Sequence, residues 1–317
     1  MEASFRNQTS NISYSEFILL GFPGVLKHRS LLILPFLVIY LVVLMCNCPI
    51  IYQIWKERSL HSPMHILILS LLMVSVINDT VIIPKMLASF VGLDKISLNA
   101  CLIQLFIISF NIVTESVIML MMAFDRYVAI CKPLYYHEIM SKHLPVLLSI
   151  AGFMRNCVVT CVIVIMISQL QFCKSNIILH FHCESIMLIN LACGDISRVY
   201  SVGLLIRTTL TIFDISIISV SYLRVLYSAM KITSGGTRHK ALHTCSTHLS
   251  VVILAYFFGI VSSILYRSGT AISYDIQNLG NAVHLFFTGF LNPVIYGLRI
   301  KEIKESLLKQ WKRKCVQ

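Results

Sequence analysis

Seven long, mostly apolar stretches decide what this chain can become. Crossing about 30 Å of hydrocarbon takes about 20 residues of helix at a rise of about 1.5 Å each. Stretches of that length run near Leu31 to Ile54, Met64 to Phe90, Leu98 to Ile130, Leu144 to Ile167, Tyr200 to Tyr227, Leu242 to Leu265 and Leu279 to Leu298. Of the 317 residues 57% are hydrophobic and 13% charged, so lipid must solvate much of the chain and no separate soluble domain fits between the stretches. The expected fold class is an all-α membrane protein. A seven-transmembrane helix bundle over residues 31–298 follows an extracellular N-terminal segment, 1–30. A short amphipathic C-terminal helix and tail, 299–317, lie in the cytoplasm.

The net charge of +12 is spread along the chain in short clusters. Lys56 and Arg58, Lys132 and Lys142, Arg238 and Lys240, and the run from Arg299 through Lys301, Lys304, Lys309, Lys312, Arg313 and Lys314 fall between or after the apolar stretches. A nucleic-acid-binding protein would gather such charge on a folded soluble face, so no nucleic-acid partner is expected. Lysine and arginine beside membrane helices mark cytoplasmic loops. An odd number of crossings then leaves the N-terminus outside. The sequons at Asn7 and Asn11 agree with that side, as glycosylation candidates. The first thirty residues have no apolar core followed by a small-residue cleavage site, so the first crossing is expected to be an uncleaved anchor.

Pro49, Pro84 and Pro293 fall inside crossings, where they free backbone carbonyls and permit kinks. The longest connection, from about Ser168 to Val199, holds Cys173, Cys183 and Cys193. After the last crossing Ile300, Ile303, Leu307, Leu308 and Trp311 recur at helical spacing among lysines, the pattern of a helix lying on membrane lipid. Cys315 beside it is a palmitoylation candidate or a free thiol.

One motif carries more information than any of these. Met122-Ala123-Phe124-Asp125-Arg126-Tyr127-Val128-Ala129-Ile130-Cys131 ends the third stretch, followed by Pro133-Leu134-Tyr135-Tyr136. Pro63-Met64 opens the second, Ser221-Tyr222 ends the fifth, Lys240-Ala241-Leu242-His243-Thr244-Cys245-Ser246-Thr247-His248 opens the sixth, and Asn292-Pro293-Val294-Ile295-Tyr296 closes the seventh. Taken in this order on seven spans, the runs resemble the odorant (olfactory) receptors of the rhodopsin-like G-protein-coupled superfamily, most closely their class I branch. The resemblance implies a plasma-membrane receptor for a small-molecule odorant that activates an olfactory stimulatory heterotrimeric G protein and raises cyclic AMP. It implies no enzyme activity and no cofactor. Asp125 would restrain Arg126 at rest, beside Tyr127. Lys240, His248, Asn292, Pro293 and Tyr296 would belong to the same switch, and Tyr222 would partner Tyr296 in the active form.

The family pattern also implies a helix-to-loop disulfide, Cys101 with Cys183, and a second bridge, Cys173 with Cys193. The residues alone allow three connectivities for these four cysteines. The family's aspartate in the middle of the second helix is replaced by Ser75, which puts its sodium site in doubt; Asp79 and Glu115 remain as buried acids. Intramembrane charges require partners. Arg155 and Asp214 match a class I pattern and are expected to form a buried ion pair, while Arg207 either competes for Asp214 or faces the binding cavity.

Ser263 and Arg267 stand four residues apart, on one helix face. They match positions that hold the polar head of carboxylic acids in class I receptors, and a guanidinium with a hydroxyl offers several donors to a carboxylate. The structural alternative is an arginine snorkelling to the lipid interface. Ile108, Ser109, Ile112, Val113, Phe258, Gly259 and Ser262 are the other pocket candidates, with plain helix packing as their alternative. The run His180-Phe181-His182-Cys183-Glu184 contains metal-ligand types, but a disulfide at Cys183 leaves only a weak set, so no metal is assigned. Other readings are a receptor for a non-odorant metabolite or peptide, and a transporter, for which the chain shows no inverted repeat.

Overall fold

The computed structural model describes residues 13–141, 143–232, 234–268, 271–300 and 302–307. Its long helices are α1 (Ile33–Lys56), α2 (Pro63–Phe90), α3 (Leu98–Cys131), α5 (His143–Ser168), α7 (Ser197–Met230), α8 (Gly235–Arg267) and α9 (Tyr274–Arg299). Two short helices, α4 (Tyr136–Ser141) and α6 (Ser185–Leu191), sit in connections. All seven expected crossings are therefore present. α8 starts a full turn or more before the expected Leu242, because the polar residues from Gly235 onward continue the helix past its apolar stretch.

Serines set several of the starts. Ser62, Ser97 and Ser273 each accept a hydrogen bond from the backbone N–H three residues on, capping α2, α3 and α9. Pro63 follows its cap at the first helical position, where its missing N–H costs nothing. Pro49, Pro84 and Pro293 lie inside α1, α2 and α9.

Six of the long helices are long and apolar enough to cross a membrane by length and composition. The seventh, α9, has the length, about 39 Å at 1.5 Å per residue, but carries Gln277, Asn278, Asn281, Thr288 and Asn292, all buried within the bundle. Its amphipathic face is the helix's contribution to a polar interior. Asn47 of α1 uses that interior: its amide donates to Val43 O at 2.8 Å and to Gly289 O at 3.0 Å, tying α1 to α9.

The Cys101 end of α3 lies about 38 Å from Arg126, counting 1.5 Å per residue. At the cysteine end the long connection is not bare coil. Strands β1 (Glu16–Leu19), β2 (Lys95–Ser97) and β3 (Ile177–Ile178) form a small sheet in the order β2-β1-β3. Phe17, Leu19, Phe172, Met187 and Leu188 are buried beneath it. Both expected disulfides, Cys101–Cys183 and Cys173–Cys193, are formed. Gln104 locks the loop further, accepting from Cys183 N–H at 2.9 Å while donating to Val81 O at 3.1 Å. Asn278 donates to Gly21 O at 2.6 Å and Leu179 O at 3.1 Å, so the N-terminal segment, the loop and α9 meet at one amide.

At the opposite end Ile50, Leu71, Met122, Val225, Tyr296 and Ile303 share one apolar cluster. Residues 302–307 are helical, with Ile303 fully buried and Leu307 packed on the same cluster. That is the first part of the expected amphipathic helix. Leu308, Trp311, Cys315 and the sequons at Asn7 and Asn11 lie outside the described residues, as does the side chain of Lys240.

Candidate functional site

Between α3, α5, α7, α8, α9 and the disulfide-held loop lies a cavity of about 550 Å³. Its wall is mostly apolar, with Leu105, Ile108, Ile112 and Val113 from α3, Ile163 from α5 and Ile186 and Ile189 from α6. Ser109, Gly259, Ser262, Ser263 and Arg267 line it as well, as expected. Phe258 does not. Its ring packs edge-on against Phe287 with centroids 5.2 Å apart, because the helical turn that aims Gly259 and Ser262 inward rotates Phe258 toward α9. Glu115, assigned only as a buried acid, reaches the cavity wall.

Polar groups gather toward the loop. The Arg267 guanidinium stacks over the Tyr200 ring at 5.2 Å, and its Nη1 is buried without a hydrogen-bond partner. Arg267 therefore turns this nitrogen toward protein and cavity. His180 Nδ1 accepts the His182 backbone N–H at 3.2 Å, so its proton resides on Nε2, which meets the Tyr266 hydroxyl. Ser262 donates to Asn281 Oδ1 at 3.4 Å beside this contact. Complete burial holds the His180 imidazole well below its ordinary range and pushes His182 down to about 3, so both rings are neutral. Glu184 is spent as the cap of α6, accepting from Ile186 N–H at 2.7 Å and Met187 N–H at 3.1 Å. With Cys183 in its disulfide, the His180 to Glu184 run offers two neutral imidazoles and no free anionic ligand.

Arg155 and Asp214 form the expected ion pair, at 2.8 and 3.4 Å. Ser116 of α3 donates to the same carboxylate and contacts Tyr256 Oη at 3.1 Å, so the pair joins four helices. Asp214 being occupied, Arg207 turns to the cavity. Ser75 donates to Leu71 O at 3.1 Å. Asp79 is buried with Oδ2 unpartnered, facing the open side of Gly289.

At the far end Arg126 Nε lies 3.6 Å from Asp125 Oδ2. Asp125 Oδ1 also accepts the Tyr136 hydroxyl at 2.8 Å. Burial and the adjacent carboxylate raise the Tyr136 phenol, which keeps it a donor. Tyr222 contacts His248 Nδ1, while the buried Tyr296 hydroxyl faces Met122 Sδ at 4.0 Å. Asn292 is buried with Nδ2 unpartnered, just before Pro293 in α9. Tyr127 packs against the surrounding apolar cluster.

A family profile described as olfactory receptor matches residues 36–314. The chain belongs to the olfactory receptor family. It is 30% identical to human Olfactory receptor 52K1 over 94% of this chain and 95% of that protein. It is 36% identical to human Olfactory receptor 52Z1P over 91% and 97%, and 35% identical to rat Olfactory receptor 226 over 95% and 93%. The protein is thus a multi-pass membrane receptor of the G-protein-coupled class, with a small-molecule ligand, and not an enzyme.

The sequence did not disclose the Tyr136 bond to Asp125, the Glu184 cap or the His180–Tyr266 contact. Only the cap had a local signal, an acidic residue before an apolar run.

Proposed function

We propose that the receptor binds a small carboxylic acid in this cavity and activates an olfactory stimulatory G protein, raising cyclic AMP. The observation that carries the ligand class is Arg267, with a buried donor lacking any partner, one turn from Ser263 on the same wall of a largely apolar cavity. The guanidinium and hydroxyl orient the carboxylate, and the apolar wall takes the tail. The volume suits a small organic molecule.

In this reading the disulfide end and residues 1–30 face outside, with Asn7 and Asn11 glycosylated. Residues 31–298 form the membrane body, and residues 299–317 lie at the inner leaflet of the plasma membrane. Basic connections flanking the Asp125–Arg126 end support that orientation. Asp125, Arg126, Tyr127, Tyr222, Lys240, His248, Asn292, Pro293 and Tyr296 form the switch that opens toward the G protein. A ligand touching α3, α7 and α8 together acts by binding one arrangement of those helices more tightly than the other. The test is the cyclic-AMP response to straight-chain acids in cells carrying the receptor. Arg267→Ala abolishes it if the reading holds; an unchanged acid response refutes it.

A further inference from the structure

We infer that Arg207 is a second anion anchor, so that the ligand carboxylate is held between guanidiniums from α7 and α8. This rests on the carboxylate reading above and deepens it: the class it selects is a small monocarboxylate.

Arg207 lines the cavity, and its guanidinium makes no hydrogen bond or ion pair with any described residue. The anion nearest in chain order, Asp214, is taken by Arg155 and Ser116. Its electrostatic neighbours come from three other elements: Glu184 before α6, Tyr266 and Arg267 on α8, and His284 on α9. Two guanidiniums thus act on each other across one cavity, which repels unless an anion sits between them. Arg267 itself has a buried Nη1 with nothing to donate to.

Glu184 does not fill that role. Both its oxygens already accept, from Ser185 Oγ at 3.0 Å and from the first N–H groups of α6. Counting its charge against the two arginines leaves one positive charge at this end of the cavity, which one carboxylate cancels. A dicarboxylate would leave an excess negative charge, and an amine would add a third cation. Asp214 lies seven residues beyond Arg207 on α7, about 10 Å deeper. Ser116, which touches Asp214, places the neighbouring Glu115 near that same level. Asp214 already holds Arg155 at that level, so among the described residues the cationic groups left to receive a carboxylate are the two arginines nearer the loop.

The experiment compares wild type, Arg207→Gln, Arg207→Met, Arg207→Lys and Arg267→Ala in cells expressing a stimulatory G protein. Cyclic AMP is read per surface receptor against straight-chain acids from butanoate to nonanoate and against the matching primary alcohols. Arg207→Gln is expected to weaken acid potency by at least about tenfold, the loss of one charge-assisted bond, with alcohol responses unchanged or improved. Arg207→Lys restores part of the acid response, since it keeps the charge and loses the fork. Arg207→Met, apolar and of similar reach, gives the same reading if the glutamine variant does not arrive at the surface. Loss of acid response in Arg267→Ala with none in Arg207→Gln or Arg207→Met overturns the second anchor and leaves the proposed function standing. Loss in the Arg207 variants with none in Arg267→Ala overturns the shared clamp and the Arg267 assignment together. A wild-type receptor at the surface that answers no acid overturns both the carboxylate class and this inference.

Discussion

Asp214 on α7 receives the Arg155 guanidinium of α5 at 2.8 Å and a hydroxyl from Ser116 of α3. The carboxylate is almost fully buried, so removing its partner strands a charge in the bundle. Arg155→Ala is expected to cost about 3 kcal/mol, read as a lower unfolding temperature of the purified receptor and less protein at the cell surface. Replacing both residues with apolar ones, Arg155→Met with Asp214→Leu, recovers most of the loss. Equal damage from the single and double variants would show that the pair does not act as a unit.

Tyr136 reaches across from α4 to the carboxylate that pairs with Arg126. Tyr136→Phe removes one donor to a charged acceptor, worth about 1.5 kcal/mol. The resting arrangement loses that support, so ligand-independent signalling per surface receptor is expected to rise by about tenfold or less. An unchanged basal level would mean that the bond persists in the active form.

Acid weakens the loop over the cavity. His182 is pushed down to about 3 by burial and His180 is held well below its ordinary range, while an unfolded histidine titrates near about 6.5. The unfolded chain therefore binds more protons throughout that window. Stability is fully present above about 6.5 and is lost progressively as pH falls toward 3. Thermal unfolding of the purified receptor measured between neutral and mildly acid pH checks this. His182→Asn is expected to flatten the dependence.

Gly259 leaves room that a side chain would remove. A Cβ there would come within 3.3 Å of His284 Cε1, tighter than ordinary contact, on the cavity wall. Gly259→Leu fills part of the cavity and displaces His284. It is expected to abolish ligand responses while surface levels stay within about twofold, since helix interiors accept leucine readily. Retained potency for long acids would place the ligand elsewhere.

The crossings, their order and the Asp125–Arg126 end were legible because apolar length and a specific motif are local signals. Most of the cavity was legible too: Ile108, Ser109, Ile112, Val113, Gly259, Ser262, Ser263 and Arg267 all reach it. Phe258 falls off that wall because a one-residue change of helix angle separates wall from packing, and apolar residues give no sign of which they face. The side Arg207 takes depended on which acid was already occupied, a fact set by α3 and α5 rather than by α7 itself. The β1–β3 sheet rests on pairings between segments far apart in the chain, with strands too short to show alternation.

The amide-rich face of α9 bears on how the receptor is made. Its predecessors can partition into lipid on their own hydrophobicity, but the last helix reaches the bilayer with the Asn278 amide still seeking acceptors and Asn281 a donor. Those groups are satisfied only by neighbours already assembled, so final insertion depends on a groove that synthesis of the earlier spans has prepared. Substitutions far from ligand or G protein can therefore silence the receptor by leaving its last segment stranded during biogenesis.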